Sequence, residues 1–349
     1  VTGVRVSADG SAEHRRAIGQ MQAAGFPVPE CWRPQDGVPA SGANERLWVS
    51  RDDAPTIGMM LIVSPSRRVP WSRIARVEQL GGEALASHAS ATASLLVEAV
   101  RTIGRVMRVH VRVFDRHERV RDALASALRA ARFAPVSDAF QYTHTHVIDL
   151  SDPEDRLMGR MTPAARRAVR EPLKKGLQLR TDATAADIPR MLELMSAAFD
   201  RTGSLLGEDI ARHDLSLAIQ WPDRRPLVTL ERADVAGPMR IVAFAMGLHD
   251  GDHVTYHHGA TERGGDLARL TLSYAPLWEL IRWAKGRGVS WFDLGGVTAS
   301  EEVSHPLSGI TAFKRRFGGT DTEVATELQW IVRPFDCAIE ERVGRLLQR

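Results

Sequence analysis

One order of residues occurs twice in this 349-residue chain, and it constrains the fold more than composition does. Gly81-Gly82-Glu83-Ala84-Leu85-Ala86 leads into an amphipathic stretch holding Leu95-Leu96-Val97-Glu98, and the apolar run that follows ends Val113-Phe114-Asp115. Gly264-Gly265-Asp266-Leu267-Ala268 leads into a stretch holding Leu277-Trp278-Glu279-Leu280, and its apolar run ends Trp291-Phe292-Asp293. Each half thus reads Gly-Gly-acid, helix with a Glu, strand, Phe-Asp. Apolar residues at helical intervals between two short apolar runs are the pattern of strand, helix, strand. A chain this long also exceeds one ordinary core, so two similar α/β domains with mixed sheets are the expected architecture.

The region through Gly42 is rich in Pro and Gly and reads as a lead-in, with one helix around His14 to Ala24. In the first half, strands are expected at 47–49, 57–63, 74–80 and 108–114, a long strand from Phe140 to Leu150, and helices at 89–105 and 118–131. In the second half, strands are expected at 177–180, 226–231, 239–248, 252–260 and 289–294, with helices at 186–199, 209–220 and 269–285 and a final strand near 321–332. The expected boundaries are a lead-in over 1–44, a first domain over 45–150, a basic connecting region over 151–176 and a second domain over 177–349 that carries the chemistry.

The 46 Lys and Arg against 43 Asp and Glu leave a balance too small to mark a nucleic-acid binder, so local clusters matter more. Cys31 and Cys337, the only cysteines, have neither metal-type spacing nor a catalytic signature, which fits a reduced, cytoplasmic compartment. Val1 to Gly10 lacks the apolar run of a signal peptide, and no stretch approaches the roughly 20 apolar residues that span a bilayer.

The densest functional signal lies near the C-terminus. Tyr274-Ala275-Pro276-Leu277-Trp278-Glu279-Leu280-Ile281 opens a helix, Phe292-Asp293-Leu294-Gly295-Gly296 ends a buried strand, and Gly309-Ile310-Thr311-Ala312-Phe313-Lys314-Arg315-Arg316-Phe317-Gly318-Gly319 follows. This ordered combination resembles the FemAB-like branch of the GNAT acyltransferase superfamily, which includes peptidoglycan-bridge aminoacyltransferases. The resemblance is close over Leu267 to Gly319 and extends to the first half as pattern only. It implies tandem GNAT-like domains and transfer of an aminoacyl or other acyl group to an amine. The implied donor is aminoacyl-tRNA or acyl-CoA, with no tightly bound cofactor. The implied acceptor is an amine of a peptidoglycan precursor, with tRNA as a possible partner.

Acyl transfer to an amine needs a positive group near the developing oxyanion or phosphates, and a route for the proton. Lys314 is the candidate cation, as the resemblance also implies; its plain alternative is an ordinary surface Lys. Asp293, at a strand end before two glycines, is the candidate proton acceptor, and its alternative is a structural acid, favoured by Asp115 at the echoed position. Tyr274 and Tyr256 are candidates to hydrogen-bond substrate or to fill the core. Phe313 and Phe317 share a helical face and read first as packing, with Phe313 bordering substrate by resemblance, while Arg315 offers a charge to carrier phosphates.

Arg263-Gly264-Gly265 stands where a GNAT enzyme carries its pyrophosphate loop, but Asp266 replaces the central Gly and would repel pyrophosphate; it suits an N-cap instead. Arg166, Arg170 and Lys174 recur at i+4, a stripe suited to an RNA backbone or a nucleotide-linked precursor, or simply a solvated face, with Pro163 and Pro172 interrupting the helix. His144 and His146, and the run His253 to His258, lack a carboxylate or Cys at metal-ligand spacing, so no metal site is expected. No long coiled-coil arm is visible in the second half. The expectation is an acyltransferase, with an acyl-CoA-dependent N-acetyltransferase and a non-catalytic GNAT-like binding protein as alternatives.

Overall fold

A computed structural model describes residues 3–35, 44–51, 57–137, 139, 141–202, 206–298 and 308–347. Pro39, Gly42 and Phe140, which figured in the expected lead-in and long strand, lie outside the described residues. In chain order the first elements are β1 (Val4–Ala8), α1 (Ala12–Ala23), β2 (Glu45–Arg51), β3 (Gly58–Pro65), β4 (Arg73–Leu80), α2 (Glu83–Ser87), α3 (Ala89–Ile103), β5 (Val106–Phe114), α4 (Glu118–Ala130), β6 (Ala134–Pro135) and β7 (His144–Asp149). Next come α5 (Glu154–Arg160), α6 (Pro163–Lys174), β8 (Leu177–Arg180), α7 (Ile188–Thr202), α8 (Glu208–Gln220), β9 (Leu227–Arg232), β10 (Ile241–His249) and β11 (His253–Thr261). The chain continues with α9 (Tyr274–Gly286), β12 (Trp291–Gly296), α10 (Ser308–Arg315), β13 (Thr320–Glu323), β14 (Ala325–Ile331) and α11 (Pro334–Leu347). No helix among the described residues is long and apolar enough to cross a membrane.

Two compact units result, Val1–His144 with Glu323–Arg349, and Thr145–Thr322. The first holds a seven-stranded sheet in the order β1-β2-β3-β4-β5-β14-β6, and the second a seven-stranded sheet in the order β13-β7-β12-β11-β10-β9-β8. The internal echo has its counterpart in the topology. β4 and β5 run parallel around α3, and β11 and β12 run parallel around α9. A parallel pair needs such a crossover helix, so the repeated strand, helix, strand order becomes one repeated α/β unit in each sheet.

The units depart from the expected boundaries in three ways. The opening region is no loose lead-in, because β1 pairs with β2 in register from Val4↔Arg51 to Ala8↔Leu47. The strand expected to close the first domain, β7, pairs instead with β12 of the second sheet. The strand expected to complete the second domain, β14, pairs with β5 of the first, from Ala325↔Phe114 to Ile331↔Arg108. β7 thus opens the second unit, whereas β14 returns to the first after the whole of the second. The stretch 151–176 is likewise no linker, because Leu157, Met161, Ala165 and Val169 pack into the core of the second unit.

Leu328 on β14 is fully buried in the core of the first unit. Leu328→Ala is expected to cost about 2–5 kcal/mol and to raise amide hydrogen exchange in β4 and β5. The same increase in β11 and β12 instead would contradict the assignment of β14 to the first sheet.

Candidate active site

The site is built where β11 and β12 part. Their parallel pairing covers His253↔Trp291, Val254↔Phe292 and Thr255↔Asp293, and no further pairs form between them among the described residues. β12 instead stays with β7 as far as Gly296↔Thr145, across an irregularity between Asp293 and Gly296. That irregularity centres on Gly295, whose φ of +81° is a conformation L side chains rarely adopt. A Cβ there would also stand 3.3 Å from the Lys314 ammonium.

Lys314 is buried, and its Nζ donates to the Gly296 carbonyl at 2.6 Å. Burial pushes its pKa down to about 8, against the opposing charge of Asp293. Asp293 is fully buried; its Oδ1 accepts from the Thr145 hydroxyl and from the Gly295 N–H at 2.6 Å. Burial raises its pKa, opposed by those two hydrogen bonds and by the charges of His253 and Lys314. The carboxylate therefore fixes the turn on which the ammonium rests.

α10 is clamped to this turn from two sides. The buried Thr311 hydroxyl accepts from Thr298 N–H at 3.1 Å on the side of β12. On the other side Phe313 and Phe317 pack on Tyr274, with ring centroids 4.9 and 5.0 Å away. Gly318 and Gly319, at φ of +77° and +100°, then let the chain pass β7 so closely that a Cβ on Gly319 would stand 2.2 Å from the Val147 carbonyl oxygen. His146 secures this passage, its Nδ1 at 2.6 Å from Asp321 Oδ1 and its Nε2 at 2.6 Å from the Gly318 carbonyl.

Several expected site residues stand elsewhere or do other work. Tyr274 is buried in the aromatic cluster rather than facing a cleft. The Tyr256 ring packs on the same core, and burial raises its hydroxyl pKa to about 12. Arg315 is paired through Nε and Nη2 with Asp321 Oδ2, at 2.9 and 2.6 Å. Arg166 donates to the Gly159 and Met161 carbonyls at the end of α5, while Arg170 is exposed on α6. α6 is not interrupted: Pro163 occupies its first turn, where no N–H is missed, and Pro172 falls so near the end that one helical hydrogen bond is lost.

Arg263, Gly264 and Gly265 lie in the turn after β11, well ahead of the first turn of α9. Asp266 is not the N-cap of α9, which is Ser273; its carboxylate is held by Arg232 at 2.6 and 2.8 Å. Nor does Asp115 repeat Asp293. It follows the last residue of β5 and accepts from Gly82 N–H at 3.0 Å, whereas Asp293 sits inside β12.

Two features escaped the sequence. In the first unit a cleft of about 900 Å³ is lined by Arg67, Arg68, Arg76, Arg108, His110 and Arg112 among others. Alternation on β4 and β5 sends Arg76, Arg108, His110 and Arg112 to one face while Val77, Val109 and Val111 enter the core. Burial and the charges of Arg108 and Arg76 hold the His110 pKa near about 4. The cleft is thus cationic, although Glu78, Glu327 and Glu340 also line it. In the second unit the sequence was taken to lack a carboxylate for the His253 to His258 run. Asp214, far upstream on α8, completes a set with His257 and His258.

Residues 160–315 match the family model of the acetyltransferase (GNAT) domain. Across 96% of this chain and 100% of the other, the fold is similar to the crystal structure of FemX, at 14% identity and a TM-score of 0.75. L-PGS from Bacillus licheniformis follows at 11% identity and 0.55, covering 98% of this chain and 99% of its own. The C-terminal domain of a putative lysylphosphatidylglycerol synthetase from Agrobacterium fabrum is similar at 14% identity and 0.54, with 95% and 96% covered. No curated protein sequence matches the chain. The family match thus covers less than half of the chain, residues 160–315, and the likeness to FemX over the whole length is one of fold.

Removing the Thr145 hydroxyl takes one partner from a fully buried carboxylate. Thr145→Val is expected to destabilise the chain by about 1–3 kcal/mol in chemical denaturation. A change below about 0.5 kcal/mol would show that Asp293 does not depend on this bond.

Proposed function

We propose that the protein transfers an aminoacyl or other acyl group from an activated donor to an amine of a peptidoglycan precursor, with Lys314 as the catalytic cation. The observation that carries this reading is the Lys314 ammonium, buried at the parting of β11 and β12 with one of its donors spent on Gly296 O. An ammonium has three N–H donors, which leaves two for a substrate oxygen. In direct transfer the amine nitrogen bonds to the donor carbonyl carbon, the carbonyl oxygen takes on negative charge, and the leaving oxygen or sulfur departs as the nitrogen loses a proton. A fixed cation in a partly dry site favours that charge over the neutral ground state.

Asp293 is assigned a positioning role, because its carboxylate is fully buried and engaged with Thr145 and Gly295. Similarity of fold to FemX agrees with a wall-precursor amine as acceptor, and an aminoacyl donor on tRNA is proposed from the motif resemblance alone. An acyl-CoA donor is the second reading, favoured by the GNAT family match. The Arg263-Gly264-Gly265 turn gives that reading little support, since it opens only the three-residue 3-10 helix Gly265–Leu267 rather than α9, and Asp266 within it carries a negative charge.

Purified protein offered a panel of acyl-CoAs and charged tRNAs, with an amine-bearing muropeptide precursor, is expected to yield a product whose mass identifies the transferred group. Lys314→Ala is expected to lower kcat/KM at least 100-fold, about 2.7 kcal/mol of transition-state stabilisation. A loss within twofold would remove Lys314 from the mechanism. Turnover with none of the donors would refute this donor and acceptor assignment.

A further inference from the structure

β11 carries an extra residue where it leaves the Lys314 site. Across the β10–β11 pair, Gly247 faces Tyr256 and Met246 faces His258, so His257 has no opposite number. A bulge of this kind sends two successive side chains toward the same side. Here both are imidazoles, and both meet Asp214 of α8. His257 Nε2 and His258 Nε2 each lie 3.1 Å from Asp214 Oδ2, and the three atoms all fall within 4.8 Å of one another.

We propose that Asp214, His257 and His258 form a binding site for a divalent transition-metal ion of the Zn²⁺ class. Zinc takes His nitrogen and carboxylate oxygen at about 2.0–2.2 Å in a tetrahedron, which separates neighbouring ligand atoms by roughly 3.3 Å. The 3.1 Å Nε2 to Oδ2 separations already match two edges of that tetrahedron. The other carboxylate oxygen, Oδ1, accepts from Arg225 Nη1 at 2.7 Å, so Asp214 is oriented from behind as metal-binding carboxylates are. His257 is exposed and the other two are half-buried, leaving the fourth position to water or to a small ligand from solvent. The donor set of two imidazoles and one carboxylate favours Zn²⁺ or Co²⁺ over Mg²⁺ or Ca²⁺. The ion would join α8 to β11. This site does not rest on the role of Lys314.

The test uses the tag-free full chain, stripped with a chelator and titrated with Zn²⁺ by calorimetry, with Co²⁺ absorption as a report on geometry. One Zn²⁺ per chain is expected, together with a tetrahedral Co²⁺ spectrum and a raised thermal midpoint. His257→Ala removes an exposed ligand and is expected to weaken Zn²⁺ binding at least tenfold, and Mg²⁺ is expected not to compete. Circular dichroism of the zinc-free variant identical to that of the zinc-free parent confirms that the fold is kept. Failure of the parent chain to take up Zn²⁺, or equal binding by His257→Ala, would overturn the proposal and leave a hydrogen-bonded trio only.

Discussion

The structure of the site depends on one requirement, that an ammonium be held out of water at the end of a β-strand. Placing Lys314 there carries a desolvation cost, which appears as its lowered pKa. The Gly296 carbonyl and the charge of Asp293 offset part of it. Each neighbouring feature follows. Gly295 must adopt a positive φ to present the next carbonyl, Asp293 must accept its N–H, and Thr145 must complete the buried carboxylate. The aromatic contacts of Phe313 and Phe317 with Tyr274 hold α10 in place. The conspicuous Phe, Gly and Asp of the motif are thus supports, and the Lys is what they support.

Local elements were legible because their signals are local. The apolar runs at 74–80, 108–114 and 289–294 became β4, β5 and β12 with shifts of only a few residues. The echoed halves were legible too, as two parallel pairs around a crossover helix. The exchange of β7 and β14 was not. A strand's sequence fixes which of its faces are apolar, but not which sheet edge it joins. The short β1 was hidden by its position in a Pro- and Gly-rich region, although Val4 and Val6 alternate as a strand should.

Within the site, Lys314 could be read from its motif, whereas Thr145 could not, because it reaches Asp293 across 148 residues of sequence. For Tyr274 the sequence left two roles open, because a tyrosine opening a motif helix is equally suited to a cleft and to a core, and in the fold Phe313 and Phe317 pack on its ring. Asp115 misled because a shared Phe-Asp pair was taken to mean a shared position, although one carboxylate lies inside its strand and the other beyond it. The arginines of the first-unit cleft left no motif, since Arg76 comes from β4, Arg108 and Arg112 from β5, and Arg67 and Arg68 from the connection between β3 and β4.

The most direct test of the central claim is the pH dependence of the single-turnover transfer rate, compared between the parent chain and Lys314→Arg. A buried Lys314 with a pKa near about 8 is protonated below that value and neutral above it. The account predicts that the parent rate falls as pH rises through about 8, and that Lys314→Arg, slower throughout, keeps a flat rate across the same range because arginine stays charged. A parent rate that stays level or climbs from pH 8 to 10, or an identical fall in Lys314→Arg, would contradict it.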